Sequence, residues 1–428
     1  MALTHAKAGA TEDLLNVLSI QTGAAWATQA REKARARVQA MGLPARRDEY
    51  WKYTDPKTLT GVGALNADLF ATDETLVFDQ IDRLKIVFVD GVFDEDASDD
   101  LSLSGIEIER LADATMADIH WAKDMYGALE SRGQSPVERP LAALNSAFAT
   151  DGVVIRVTGK VPKPVSLIYQ RKTTNADVIL HHIIRVEKDG DLTLLENGPA
   201  AARFNCVTEV EVADKALFNH VRAQGRDHQR RVVTHMFARL GTESVFKSFT
   251  LTANGALTRN EAVLELTGDN AIAHVAGAAM GDGDFLQDDT VFVTHDAVGC
   301  ESRQVFKKVL RNGATGVFQG KILVKSGAQK TDGYQISQAL LLDDDAQFLA
   351  KPELEIYADD VVCSHGSTSG EIDEEALFYF RSRGIPEGTA QDLLVLAFLA
   401  EAIAEIEDQT IANDILSRLE GWLGRHRT

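Results

Sequence analysis

From Val153 onward the chain runs for roughly two hundred residues as short β-branched segments cut by Gly, Asn and Asp, with little helical periodicity. Val153 to Val157, Val165 to Tyr169, His182 to Val186, Phe246 to Leu251 and Glu261 to Leu266 are such segments. Thr290 to Thr294, Gly316 to Val324, Ile336 to Leu342 and Leu354 to Tyr357 continue the series. Many small strands joined by Gly-Asp, Asn-Gly and Asp-Gly turns predict a mainly β fold, as a sandwich, a barrel or a β-solenoid. No strict repeat motif accompanies the strands, so periodicity does not choose among the three.

Helical patterns bracket this stretch. Thr11 to Ile20 and the Ala-rich Ala24 to Met41 read as helices, the second stopped by Gly42 and Pro44. Leu84 to Val89 before Asp90-Gly91 reads as a strand and turn, and Met116 to Leu129 as a further helix. After Gly370 the helical period returns in Asp373 to Phe380, Glu387 to Ile406 and Ala412 to Leu423, with Ile385-Pro386 separating the first two. In the middle one Leu393, Leu396, Ala397, Ala400, Ile403 and Ala404 share an apolar face that Leu394, Phe398 and Leu399 widen. A face that wide can serve a core and a partner together. Three regions follow: a mixed helical region over 1–150, a β core over 151–370 and a helical domain over 371–428.

Composition narrows the function. With 45% hydrophobic residues the chain can bury a large core. Its 64 acidic against 44 basic residues give a net charge of -20, which repels phosphate backbones, so nucleic acid is excluded as a partner. No run of about 18 uninterrupted apolar residues is present, and Met1 to Ala10 lacks the charged and apolar segments of a targeting signal. Membrane insertion and secretion are not expected. Three widely spaced cysteines, Cys206, Cys300 and Cys363, suit a reducing compartment, and the expected location is cytoplasmic.

The stretch Lys351 to Gly370 carries the most chemistry. It ends in a Cys-x-His pair, and on an extended segment Cys363 and His365 project to one face, where a thiolate and an imidazole can bind one metal. Two donors do not close a site, so further ligands would come from elsewhere in this chain, a partner or a cluster. Eleven carboxylates and one lysine fill the window from Asp343 to Glu375. That field disfavours a thiolate nucleophile and attracts cations such as ferrous iron. His220, His228, His235, His274 and His295 have no standard metal-ligand spacing, and the adjacent His181 and His182 face opposite ways on a strand. Nucleotide-binding, hydrolase and zinc-protease motifs are missing, and Gly281-Asp282-Gly283-Asp284 reads as a turn rather than a calcium loop. Asp288-Asp289 is the carboxylate pair that a polymer-cleaving β-helix enzyme, the competing functional class, would need to position around a sugar.

Several ordered blocks resemble the SufB/SufD family of the SUF iron–sulfur cluster assembly machinery. They are Asp48-Glu49-Tyr50-Trp51-Lys52-Tyr53-Thr54, Val87-Phe88-Val89-Asp90-Gly91, Ser302-Arg303-Gln304, Gly316 to Ile322, Gln329-Lys330-Thr331-Asp332-Gly333, Lys351 to Ile356, Tyr357 to Asp360, Cys363-Ser364-His365-Gly366 and Phe378 to Gly384. Chain length, the aromatic block and the scarcity of cysteine place the resemblance on the SufD branch, with SufB as the alternative. The resemblance implies a right-handed parallel β-helix core. It implies a non-catalytic scaffold that pairs with a SufB-like paralogue through the β-helix and with the ATPase SufC through C-terminal helices, here roughly Asp373 to Ile406. It further implies that His365, with Cys363, holds iron or a transient cluster at the paralogue interface, and that ATP-driven closure of SufC shifts that interface. No dinucleotide fingerprint supports a flavin site. Exposed β-edges make a homodimer of the isolated chain plausible.

Overall fold

The computed structural model describes residues 4–69, 76–198, 200–225 and 227–426. Met1 to Leu3, within the stretch inspected for a targeting signal, and the last two residues of the C-terminal region lie outside the described residues.

From Val153–Val157 onward, consecutive strands alternate between a nine-stranded and a ten-stranded sheet, so each turn of chain lays one strand in each. From Val153–Val157 onward the strands pair in parallel with the turns before and after, making a β-solenoid of about seven turns. Of the three architectures that periodicity left open, the chain adopts this one. In one column of the nine-stranded sheet Val207, His235, Glu261, Thr290, Gln319 and Lys351 stack in register. The step between turns is uneven, from 26 residues between His235 and Glu261 to 32 between Gln319 and Lys351. Unequal turn lengths erase any sequence repeat while the ladder stays in phase.

The first end of the solenoid is closed. Leu84–Val89 adds to the ten-stranded sheet beside Val165–Gln170, and Ile106–Arg110 lies antiparallel to Val153–Val157 in the other. The far end is open, and the last strands Gln347–Ile356 and Val361–Gly370 are the two sheet edges. Interior side chains such as Phe204, Phe218, Phe246, Phe306 and Phe318 form the main core.

Both outer faces are covered as well. Val221, Phe249, Leu251, Met280 and Val305 on the ten-stranded sheet pack against Val395, Leu399, Ile415 and Trp422 of the helices Glu387–Ile403 and Gln409–Arg425. The other sheet is covered by N-terminal helices, with Leu141, Leu144 and Phe148 of Pro140–Phe148 against Val233. Strands buried on both faces read as continuous apolar runs rather than alternating ones.

Gly42 ends the helix Ala25–Met41 with φ +68°, which suits glycine. The expected helix Met116 to Leu129 is not continuous: a 3-10 turn Trp121–Asp124 and a short helix Ala128–Arg132 take its place. Gly127 lies between them in the left-handed region (φ +69°), and the His120 ring accepts the Ala122 N–H, so the backbone is capped and restarted.

Candidate functional site

The open end gathers the residues singled out in the sequence. Cys363 and His365 lie on Val361–Gly370, as the extended reading required, paired in register with Gly333 and Gln335. Gln335 is buried, and its amide donates to Gln304 at 2.7 Å inside the solenoid. Residues in register share a face of a parallel sheet, so Cys363 and His365 both belong to the interior face. With no further turn above them, His365 is exposed and Cys363 half-buried beside Ile322, Val324 and Ala328.

The backbone here is open along one side. The Asp332 backbone N–H donates to the Cys300 carbonyl at 3.0 Å, so the alternating ladder turns the amides of Val362, Ser364 and Gly366 inward to Thr331–Leu341. The backbone groups of Cys363, His365 and Ser367 then face the free edge. On Gln347–Ile356 the Gln347 and Tyr357 amides bond inward, to Ala314 at 3.0 Å and Val324 at 2.8 Å. Pro352 therefore falls on the outward side, where its missing N–H blunts that edge. Of the two edges, the one bearing Cys363 and His365 offers the longer uninterrupted row.

The electrostatics suit a thiol rather than a free thiolate at Cys363. Burial pushes its pKa up, a hydrogen bond from the Gly333 backbone opposes this, and the Asp332 charge adds to the rise. Two carboxylates of the acidic window are ion-paired: Glu353 meets Lys351 at 3.0 Å and Glu355 meets Lys321 at 2.5 Å. Among the described residues, no group of three or more His, Cys, Asp or Glu side chains is arranged to hold a metal ion. Cys363 and His365 are thus two donor side chains on one face, fewer than the three or four that close a metal site.

The aromatic N-terminal block reaches toward this end. Trp51 stacks under the Arg259 guanidinium at 4.1 Å, Thr54 donates to Asp288 at 2.6 Å, and Tyr50 donates to Glu353 at 2.7 Å on the edge strand. Burial and the Glu353 carboxylate push the Tyr50 pKa up to about 12. The block is a clamp across the outer face of the nine-stranded sheet.

Residues 169–398 match the family described as SUF system FeS cluster assembly, SufBD core domain, and residues 18–167 match the SufBD protein N-terminal region. The chain belongs to the SufBD family. The iron–sulfur cluster assembly protein SufD of Escherichia coli K12 is 28% identical over 392 residues, covering 88% of this chain and 89% of that one. A SufBD family protein of Synechocystis is 24% identical (88% and 86%), and SufD of Bacillus subtilis 26% identical over 66% and 67% of the two chains.

Within this SufBD chain the remaining sequence candidates disperse. His181 faces the N-terminal helices, bonding Asn145 at 3.0 Å and Glu209 at 2.9 Å, whereas its neighbour His182 points inside to Tyr169 at 2.9 Å. His220 bonds Ser248 and Glu196 in the interior, and His295 bonds Ser302. His235 lies 3.3 Å from Glu261 under the N-terminal region. His228 precedes the strand Arg231–Leu240. Cys206 and Cys300 are buried, and burial pushes both thiols up. Asp288 and Asp289 face opposite sides of their strand, one to Thr54 and the other to Lys308, so they cannot flank one sugar.

Sequence reading missed the interior polar groups. Glu196, Arg222, Thr234, Asn260, Lys308, Gln304 and Gln335 are buried within the solenoid. The only local hint was their alternation with apolar residues in segments too polar to read as strands.

Proposed function

We propose that this protein is the SufD-type scaffold subunit of an iron–sulfur assembly complex, pairing through its open solenoid end with a SufB-like paralogue and through its C-terminal helices with a SufC-like ATPase. The supporting observation is the unpaired edge Val361–Gly370, which presents backbone groups outward and the Cys363 and His365 donors on its interior face. A partner strand added there would extend the ladder and bring its own ligands beside His365, completing a transient site for iron or a nascent cluster as cargo. His365 is the first ligand on this reading, because it is exposed and its imidazole binds iron without losing a proton from the neutral form. Cys363 is the second, its thiol ionising as the metal binds.

The docking face for the ATPase is the helix Glu374–Ser382, on which Phe378 and Tyr379 are 74% and 52% exposed, far more than their type usually is. The region over 371–428 is then the ATPase-binding unit and 151–370 the paralogue-binding core. Assembly in the cytoplasm fits the absence, among the described residues, of a helix long and apolar enough to cross a membrane.

The pairing reading is tested with Ser367→Pro. Proline removes one outward-facing amide while leaving the inner ladder intact. Co-purification with the SufB-like partner should fall at least tenfold while the isolated variant keeps its circular dichroism. Undiminished pairing would remove the edge as the interface.

A further inference from the structure

The Ser302-Arg303-Gln304 block has no part in the ligand site itself, yet it lies between that site and the C-terminal helices. Arg303 faces outward and donates through Nε to Glu405 at 2.6 Å. Glu405 follows the helix Glu387–Ile403. The other Glu405 oxygen meets His274 Nδ1 at 3.0 Å, and His274 Nε2 meets Glu301 at 3.0 Å. Both imidazole nitrogens thus face carboxylates, which fixes the ring between the helix end and the neighbouring strand. Lys307 pairs with Glu401 at 2.5 Å and Lys247 with Glu407, so this end of the helix is pinned by Lys247, His274, Arg303 and Lys307 from three adjacent strands. Burial opposes ionisation of Glu405, but the bonds from His274 and Arg303 outweigh it and hold its pKa below the usual range.

From that pin a row of side chains crosses the sheet. His274, Arg303, Tyr334 and Ser364 occupy one register column on four neighbouring strands. The Arg303 guanidinium lies over the Tyr334 ring at 4.8 Å, and Tyr334 packs among the residues that seat the helices. Ser364, the last member, sits between Cys363 and His365. On the interior face the same strand sends Gln304 to Gln335, in register with His365. Two strand spacings, about 10 Å, therefore separate the pinned helix end from the ligand strand.

We propose that Glu405, Arg303 and Tyr334 are positioning residues that carry load from the C-terminal helices to the edge strand, setting the placement of His365. The inference rests on the reading that the ATPase loads those helices and that His365 is a ligand. Its physical content, the coupling of Glu405 to Val361–Gly370, does not depend on either.

The test is amide hydrogen exchange on the full-length chain alone, read at Val362, Ser364 and Gly366, whose amides bond inward. Glu405→Gln should speed exchange there about tenfold or more. The other edge strand, Gln347–Ile356, reached by no such row, should stay within twofold. Tyr334→Leu should reproduce the effect and Tyr334→Phe, which keeps the ring face, should not. Unchanged exchange at Ser364 in both Glu405→Gln and Tyr334→Leu would overturn the proposal, as would equal acceleration of both edges. Iron binding by the complex of each variant is a separate arm. Altered exchange with normal iron content would keep the linkage and reject its functional use.

Discussion

Two buried histidines should make this protein lose stability between pH 6.5 and 4. His182 and His295 are fully buried inside the solenoid. Burial pushes both pKa values down to about 4, and for His182 the nearby Glu196 charge only partly offsets it. The geometry at His182 gives the same direction. Its Nδ1 accepts the Val153 amide at 3.1 Å, so a proton there would set two donors against each other. In the unfolded chain each imidazole titrates near 6.5. As pH falls below that value the unfolded state gains protons that the folded state refuses until about pH 4. Stability therefore falls by up to about 1.4 kcal/mol per pH unit for each histidine, or roughly 2 kcal/mol each from pH 6.5 to 5.

Other groups act in the same region. His220 is also lowered by burial and adds to the loss, while burial raises the pKa of Glu130 and works the other way. Arg222 and His220 hold Glu196 below the usual range, and Arg259 and His235 do so for Glu261, each against its own burial. Their contribution is present above the ordinary carboxylate pKa and is lost only below about pH 4.5. A comparison isolates one histidine. His182→Gln keeps an acceptor for Val153 and a donor for Tyr169, so its unfolding free energy, from urea titrations at pH 7.0, 6.0 and 5.0, should decline less steeply than that of the wild type. The difference in the decline should reach about 1.5–2 kcal/mol by pH 5. Parallel pH profiles for the two proteins would refute the argument.

Lys308, 1% exposed, donates to Asp289 at 2.6 Å. Lys308→Met strands the Asp289 charge and should cost about 3–5 kcal/mol, whereas Lys308→Met with Asp289→Leu should recover most of that loss, as compared by denaturation midpoints. Equal losses in the single and double variants would mean that lost packing, not the stranded charge, is responsible. Phe378→Ser with Tyr379→Ser alters exposed side chains, so thermal stability should shift by less than about 1 kcal/mol while, on the proposed function, affinity for a SufC-like ATPase, measured by calorimetry, falls at least tenfold. Unchanged affinity would place the ATPase elsewhere.

The sequence showed the fold where burial and residue type agree. Val153–Val157 and Leu84–Val89 have the boundaries that their apolar runs predicted. Leu217–Gln224 and Glu301–Arg311 escaped notice because His220, Arg222, Gln224, Gln304 and Lys308 point inside, where a strand pattern demands apolar residues. Their partners come from other turns of the solenoid and are invisible to a local window. Pro140–Phe148 was missed for the opposite reason: every residue in it is buried, so no polar face marks a helical period. At the candidate site the two-residue spacing of Cys363 and His365 was enough to place both on one face. The link from Arg303 to Glu405 spans 102 residues and required the fold.

On the proposed function His365 holds the cargo at an interface shared with the paralogue. Anaerobic iron and sulfide analysis of this chain co-produced with SufB-like and SufC-like partners, wild type against His365→Ala at matched complex yield, tests it most directly. Loss of iron and sulfide from an intact complex is the predicted result, and unchanged cluster content in the variant would contradict it.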